Sequence, residues 1–220
     1  MKLPLILVNF KAYEQGTGES AVVLAKICER VAKETGANVC VAVCALDLGR
    51  VCEAVSIPVF AQHTDFEGYG SHTGHVLPDM AKEAGAYGTL LNHAEFQLED
   101  EVLEKCIEAA KRAGLFVVAC ANDPERAAKI SGFDPDLVAV EPPELIGGDR
   151  SVSKAEPFVV EKAVELVGRG KVLVGAGVKD GEDVKIALAL GASGVLLASG
   201  VVKADDPYSV LLDLVGGFKS

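Results

Sequence analysis

Eight short apolar runs recur along the chain, and each is followed by a charged segment with apolar residues at helical spacing. The runs are rich in Val and Leu and do not alternate apolar with polar residues, which is typical of strands covered on both faces in a parallel sheet. We interpret them as eight buried strands. They span Leu3–Val8, Val39–Cys44, Pro58–Gln62, Tyr87–Leu91, Leu115–Cys120, Leu137–Val140, Val172–Val174 and Gly194–Ala198.

The segments between the runs predict helices, because their apolar residues fall on one face at a period near 3.6. The predicted helices are Ser20–Lys33, Asp47–Val55, Leu77–Glu83, Glu99–Arg112, Asp123–Ile130, Pro157–Val167, Glu182–Leu190 and Pro207–Leu214. Glycine best tolerates the left-handed conformation that ends a helix. We expect helix ends at Gly36, Gly85, Gly114, Gly132, Gly168 and Gly191.

Eight strand–helix units predict an α/β fold, a (β/α)8 barrel, because right-handed crossovers place each strand beside its predecessor and eight strands close without a free edge. Residues 1–220 are expected to form this single domain, since a chain of this length suits one core and no linker divides it. A doubly wound open sheet is the alternative. That fold usually carries G-x-G-x-x-G after its first strand, whereas this chain reads Asn9-Phe10-Lys11-Ala12-Tyr13 there.

The charge of the chain argues against some partners. It has 21 Lys and Arg against 32 Asp and Glu, a net charge of −11, so we expect no attraction for nucleic acid or anionic membranes. The apolar start Leu3–Val8 is too short for a membrane span or signal peptide. Six cysteines without C-x-x-C spacing are interpreted as small buried side chains. Their free thiols predict a reducing cytoplasm as the location of the protein.

Polar residues stand where the predicted strands end, and in such barrels chemistry is placed at the carboxyl ends of the strands. Lys11 gives a local positive charge for an anionic substrate, although a surface lysine with a buried stem or a Schiff-base lysine are alternatives. His93 suits hydrogen bonding or proton transfer near neutral pH, unless it is a structural core histidine. Glu95 is interpreted as a partner that anchors Lys11 or a neighbouring chain.

Glu141 follows a buried strand and precedes Pro142-Pro143, so it is held extended. The loop after it is stiff at its start and flexible at Gly147-Gly148, which is typical of a lid. A solvated loop carboxylate is the alternative interpretation. The small residues at Gly175–Gly177 and Ala198–Gly200 leave backbone amides open to a ligand, and together they favour a phosphate site.

Three histidines, His63, His72 and His75, share one long loop. Metal sites require closer convergence with cysteine or carboxylate partners. We therefore interpret these histidines as loop or interface residues and predict no metal site.

Taken in order, these segments resemble the triosephosphate isomerase family, in the shortened form typical of archaea. The matching pieces are Asn9-Phe10-Lys11, Leu91-Asn92-His93-Ala94-Glu95, Glu141–Gly147, Gly175-Ala176-Gly177 and Leu197–Gly200. Two departures stand out. Phe96-Gln97 replaces the two arginines of many relatives, and Gly147-Gly148-Asp149-Arg150 replaces a Gly-Thr-Gly type of lid.

The resemblance implies a TIM barrel that interconverts dihydroxyacetone phosphate and D-glyceraldehyde 3-phosphate in glycolysis and gluconeogenesis, without a metal or organic cofactor. It implies that Glu141 is the base, that His93 polarises the substrate oxygens, and that Lys11 and Asn9 bind substrate. These roles, like lid closure, belong to the known mechanism of the family. Backbone contacts to the phosphate are implied for Ile146, Gly177, Ala198 and Ser199.

The segment Ser71–His75 is similar to the family loop that carries a Thr-Gly pair into a neighbouring subunit. The resemblance therefore implies a homo-oligomer, with a tetramer favoured over a dimer, in the cytoplasm. Two other functions stay open at this point: a Schiff-base aldolase that uses Lys11, and a phosphate-binding barrel without activity.

Overall fold

The computed structural model describes residues 1–142, 153 and 156–218. Within these residues, eight parallel strands form a closed barrel in chain order, with the last strand paired to the first. This confirms the (β/α)8 barrel and excludes the open sheet. The strands are β1 Leu5–Asn9, β2 Asn38–Val43, β3 Val59–Ala61, β4 Gly88–Leu91, β5 Phe116–Ala121, β6 Leu137–Val140, β7 Val172–Val174 and β8 Gly194–Leu197.

Every predicted helix is present, with small differences at its ends. The helices are α1 Gly18–Thr35, α2 Leu48–Ala54, α3 Pro78–Glu83, α4 Asp100–Arg112, α5 Pro124–Ser131, α6 Pro157–Val167, α7 Gly181–Ala189, α8 Ser199–Val202 and α9 Pro207–Gly216. The short helix α8 and a 3-10 turn at Glu14–Gly16 were not predicted.

The strands are buried on both faces, as their apolar composition predicts. One set of side chains fills the barrel interior, including Leu7, Phe60, Leu90 and Cys120. The alternate set packs outward against the helices, including Ile6 and Val8 from the same strand as Leu7. Neighbouring strands pair in parallel without a break, and β1 and β2 match from Leu5↔Asn38 to Asn9↔Ala42. The carboxyl ends of all eight strands therefore meet at one rim.

Five of the six glycines expected to end helices adopt positive φ, with values from 72° to 111°. The prediction was wrong for Gly132, whose φ is −66°. Here the chain makes one more right-handed turn, because the Gly132 and Phe133 amides donate to Lys129 O and Ile130 O. The left-handed residue is Asp134, with φ 59°, and the chain reverses there.

All six cysteines lie in the described part and carry free thiols, four of them buried and two half-buried. Burial raises the pKa of the Cys28 and Cys40 thiols to about 12, so these groups behave as apolar side chains. Within the described ranges, none of the helices has the length and apolar character that a membrane crossing requires.

Candidate active site

A cleft of about 420 Å³ opens at the rim formed by the carboxyl ends of the strands. It brings together side chains from β1, β4 and β6 with the loops after β7 and β8. Its walls contain Asn9, Lys11, Tyr13, His93, Glu95, Glu141, Ala176, Gly177, Val178, Lys179, Leu196, Leu197, Ala198, Ser199 and Gly200. Of the predicted site residues, only Ile146 is missing from this set, because it lies outside the described residues.

The backbone after β1 holds Lys11 in a left-handed conformation, with φ 50°. Asn9 stabilises this turn, because its Oδ1 accepts the Lys11 N–H at 3.0 Å. Gln62 Nε2 donates to Lys11 O at 3.0 Å and ties the turn to β3. The side chain of Lys11 is 10% exposed, and its Nζ lies 2.7 Å from Glu95 Oε1. The ammonium therefore stands at a fixed place in the cleft.

The tautomer of the neutral His93 ring follows from its contacts. The backbone N–H of Glu95 donates to His93 Nδ1 at 3.1 Å, so Nδ1 is an acceptor and carries no proton. In the neutral ring the proton then sits on Nε2. That nitrogen faces Glu141 Oε2 at 3.7 Å. His93 thus presents an N–H donor to the cleft while its other nitrogen is occupied.

Asn92 fixes the loop that carries His93 and Glu95. It is buried and left-handed, with φ 58°. Its Nδ2 donates to Cys120 O at 2.9 Å, and its Oδ1 accepts the Leu98 N–H at 2.9 Å. The first bond ties the loop to β5, and the second joins residues 92 and 98 within the loop. The sequence analysis named Asn92 only as part of the segment Leu91–Glu95, and the sequence gave no signal for these two hydrogen bonds.

Glu141 lies directly after β6, and its side chain is 7% exposed. Its backbone N–H donates to Ala121 O at 2.8 Å, which continues the barrel ladder to this residue. Among the described residues, Oε2 has no hydrogen-bond partner although it is buried. Burial, with the adjacent Glu141 carboxylate, raises the pKa of the Cys120 thiol well above its usual value. A buried carboxylate oxygen with free lone pairs can accept a proton from a bound molecule.

Gly175 leaves the space that the Glu141 side chain occupies. A Cβ on Gly175 would lie 2.1 Å from Glu141 Cγ and 2.7 Å from Oε1. Any other residue at this position would displace the carboxylate. The sequence interpreted Gly175 as part of a phosphate loop, and its contact with Glu141 was not foreseen.

The opposite wall of the cleft is built from backbone. Helix α8 begins at Ser199, and its first hydrogen bonds run from the Val201 and Val202 amides to Ala198 O. The amides of Ser199 and Gly200 precede these bonds, as at any helix start, and are open to an anion. Gly177, with φ 69°, lies beside them in the loop after β7. A short extra helix after the last strand is a recurrent phosphate site in barrels.

Several wall residues were missed by the sequence analysis. Tyr13 and Lys179 line the cleft, and the Lys203 ammonium lies 4.3 Å from the Tyr13 ring centre. Neither Tyr13 nor Lys179 directly follows a strand, so the position of the strand ends gave no signal for these two residues. Phe96, which stands where the resemblance led us to expect arginine, packs edge-on against His63 at 4.8 Å between ring centres.

Comparison with known proteins agrees with this geometry. The sequence model of the family described as "Triosephosphate isomerase" matches residues 4–216. A triosephosphate isomerase of Methanosarcina acetivorans is 49% identical over 219 residues, covering 98% of this chain and 99% of that protein. One of Pyrobaculum calidifontis is 49% identical over 218 residues, covering 97% and 96%.

A solved structure supports the fold independently. The crystal structure of triosephosphate isomerase from Bartonella henselae superposes with a TM-score of 0.73 at 21% identity, covering 96% of this chain and 98% of that one. At 21% identity the structural similarity supports the barrel fold alone. The family match and the two close relatives extend over nearly the whole length, and by these the chain belongs to the triosephosphate isomerase family.

Proposed function

We propose that the chain interconverts dihydroxyacetone phosphate and D-glyceraldehyde 3-phosphate, as a step of glycolysis and gluconeogenesis. One observation carries the assignment of residues. The buried, unbonded Oε2 of Glu141 faces the Nε2–H of His93 at 3.7 Å, in the cleft that also holds the Lys11 ammonium. A base, an N–H donor and a cation around one cleft suit proton transfer beside a carbonyl group.

The proposed reaction proceeds by proton transfers through an enediolate intermediate. The Glu141 carboxylate takes a proton from the carbon next to the substrate carbonyl. The electrons of that C–H bond form a C=C bond, and the carbonyl pair moves to oxygen to give an enediolate. The Nε2–H of His93 donates to this oxygen. The Nε2 proton passes to this oxygen, and Nε2 takes the proton of the neighbouring hydroxyl group. The electron pair left on that second oxygen forms the new C=O bond, and the C=C pair takes the proton of the Glu141 carboxyl at the former carbonyl carbon, which regenerates the carboxylate.

Two kinds of group contribute to the rate enhancement. A positioned base contributes roughly 10² to 10⁴-fold to such a reaction. Each fixed donor aimed at the developing oxyanion contributes roughly 10² to 10³-fold. We assign this electrostatic part to His93 and to Lys11. The ion pair with Glu95 and the bond to Asn9 hold Lys11 in place before substrate arrives, so its alignment costs little at the moment of reaction.

The substrate phosphate is proposed to bind the backbone at Gly177, Ala198 and Ser199, with Ile146 as a further contact from the proposed lid. Binding energy from this remote group can be used to close the lid and orient the reacting carbons. No metal or organic cofactor enters this proposal.

A Schiff-base aldolase is less well supported by the geometry. A lysine attacks a carbonyl only as the free amine. Lys11 Nζ lies 2.7 Å from Glu95 Oε1, so the nitrogen is held by a carboxylate partner and is not free to approach a substrate carbonyl carbon. A phosphate-binding barrel without activity is also less well supported, because the site contains a free base beside a donor.

A coupled assay distinguishes the three functions. Glyceraldehyde 3-phosphate is supplied, and formation of dihydroxyacetone phosphate is followed with the wild-type chain and Glu141→Ala. We expect rapid conversion by the wild type and a loss of roughly 10³-fold or more in the variant. Fold and binding of a phosphate analogue should be largely unchanged. Near-normal turnover by Glu141→Ala contradicts the proposal, and covalent trapping of substrate by borohydride favours the aldolase.

We also propose a homotetramer of one-domain subunits, residues 1–220, in the cytoplasm. Residues 71–75 are all exposed in the single chain, which leaves this loop available to a second copy. Free thiols at all six cysteines are typical of a reducing compartment. Light scattering of the purified protein should give four times the 22.9 kDa chain mass. A monomer would contradict the assembly, and two separate unfolding transitions would contradict one domain.

A further inference from the structure

The long loop between β3 and α3 is closed at its base by two hydrogen bonds. The Asp65 N–H donates to Val76 O at 2.8 Å, and the Val76 N–H donates to Asp65 Oδ2 at 2.6 Å. The second bond, with the contact of Asp65 Oδ1 to His63 Nε2 at 3.2 Å, fixes the position of the Asp65 carboxylate.

Above this base, three side chains converge on one point. His75 Nδ1 lies 3.4 Å from Asp65 Oδ2 and 3.2 Å from Glu67 Oε2. One ligand atom from each of the three residues lies within 4.8 Å of the others. Glu67 is 14% exposed, and its Oε2 is fully buried without a hydrogen-bond partner among the described residues. Two carboxylates and an imidazole nitrogen therefore face each other, and the nitrogen donates to neither carboxylate.

These separations also fit the spacing of ligand atoms around one bound ion. Ligand atoms that bind zinc tetrahedrally at about 2.0 to 2.1 Å lie roughly 3.3 Å from one another. The two distances from His75 Nδ1 fall on either side of this value. A buried carboxylate oxygen without a partner is costly in free energy. A cation between the three groups would satisfy it.

We propose that Asp65, Glu67 and His75 form a binding site for one divalent transition-metal ion, with Zn²⁺ as the best fit. A single imidazole with two carboxylates and no thiolate suits Zn²⁺ more than Mg²⁺ or Ca²⁺, which prefer all-oxygen sets. Three protein ligands leave the fourth tetrahedral position open. The ion would join residues 67 and 75 across the loop, next to the base that Asp65 and Val76 close.

The site differs from the histidine set considered from the sequence. His72 packs against the ring of His75 at 5.9 Å between centres but is not one of the three ligands. His63 Nε2 lies 3.2 Å from Asp65 Oδ1, whereas His75 lies near Oδ2. His63 orients the carboxylate, as partners of metal ligands commonly do. The fold supplies two carboxylate ligands, Asp65 and Glu67, which the spacing of the histidines did not reveal.

The test uses the full chain in its native assembly, stripped of metal and titrated with Zn²⁺ by calorimetry and with Co²⁺ by visible absorption. We expect one ion per chain and a tetrahedral Co²⁺ spectrum without a thiolate band. Glu67→Gln and His75→Gln should each weaken binding by about 100-fold or more, since loss of an outer partner alone costs roughly 10 to 100-fold. Two control variants should bind the ion as the wild type does. His72→Gln changes a histidine of the same loop that is not a ligand, and Cys44→Ser removes a half-buried thiol outside the cluster.

Failure of the wild type to bind Zn²⁺ or Co²⁺ overturns the proposal. So does equal binding by Glu67→Gln and His75→Gln, because the ion would then lie elsewhere. If these variants do not fold, the imidazole nitrogen signals of the wild type decide instead. Zn²⁺ should shift the His75 Nδ1 resonance and leave His72 unchanged, and the reverse result overturns the site.

Discussion

Gly175→Ala tests whether the position of Glu141 controls catalysis. The added Cβ would lie 2.1 Å from Glu141 Cγ and 2.7 Å from Cδ. Carbon atoms in contact lie about 3.5 to 4.0 Å apart, so the two groups must separate by roughly 1.4 Å or more. The φ of Gly175 is outside the left-handed region, so alanine adds no backbone strain. The side chain of Glu141 is then the group that moves.

A misplacement of about 1 Å can lower the rate roughly 10²-fold. We therefore expect kcat to fall by about 100-fold or more in Gly175→Ala. Overpacking of this size costs about 1 to 3 kcal/mol, which leaves the barrel folded. Phosphate binding should change less than kcat, because the changed contact is with Glu141 and not with the loop after β8.

The measurement is steady-state kinetics beside thermal unfolding. Gly49→Ala is the matched control, since it lies in α2 and a Cβ there meets nothing within 4 Å. This control should keep full activity and gain roughly 0.5 to 1 kcal/mol of stability from helix propensity. A folded Gly175→Ala protein with kcat close to wild type would refute the argument.

Three further predictions concern single contacts. Glu95→Gln removes the ionic partner of Lys11 and should lower kcat/KM by about 10-fold through misplacement of the ammonium, whereas Glu99→Gln on the same loop should not. Asn92→Ala leaves Cys120 O and the Leu98 N–H without their partner and places alanine at φ 58°, so unfolding free energy should fall by about 3 kcal/mol and Tm by roughly 6–12 °C. The pKa of Glu29 is lowered by the hydrogen bond from the Ser56 N–H and by Lys33, so its stabilisation is complete above the unfolded pKa and is lost as pH falls through the folded pKa. Acid titration of Tm should therefore be flatter in Glu29→Gln, and an unchanged slope would contradict this.

The barrel was predictable because every strand is buried on both faces, and such strands read as plain apolar runs. The bounds of β6 and β7 agree with the prediction at both ends. Helix α8 was not predicted because Ser199-Gly200-Val201-Val202 has low helical propensity and is only four residues long. Its helical form depends on the neighbouring barrel, which a local pattern does not contain.

The placement of Lys11, His93 and Glu141 around one cleft follows from the rule that strand ends share a rim. Two finer features do not follow from it. The tautomer of His93 depends on a backbone amide two residues away, and the place of Glu141 depends on an absent side chain in another strand loop. Both are tertiary contacts. The cluster of Asp65, Glu67 and His75 was missed for the same reason, since the loop closure that joins them is not a sequence period.

Isotope transfer from solvent tests the role of Glu141 most directly. Dihydroxyacetone phosphate is converted in D₂O, and the glyceraldehyde 3-phosphate formed is analysed for deuterium at C2 by proton NMR. A carboxyl proton exchanges with solvent, so the account predicts deuterium at C2 in product made by the wild-type chain. Product without deuterium at C2 would indicate direct hydride transfer between the carbons and would contradict a carboxylate base.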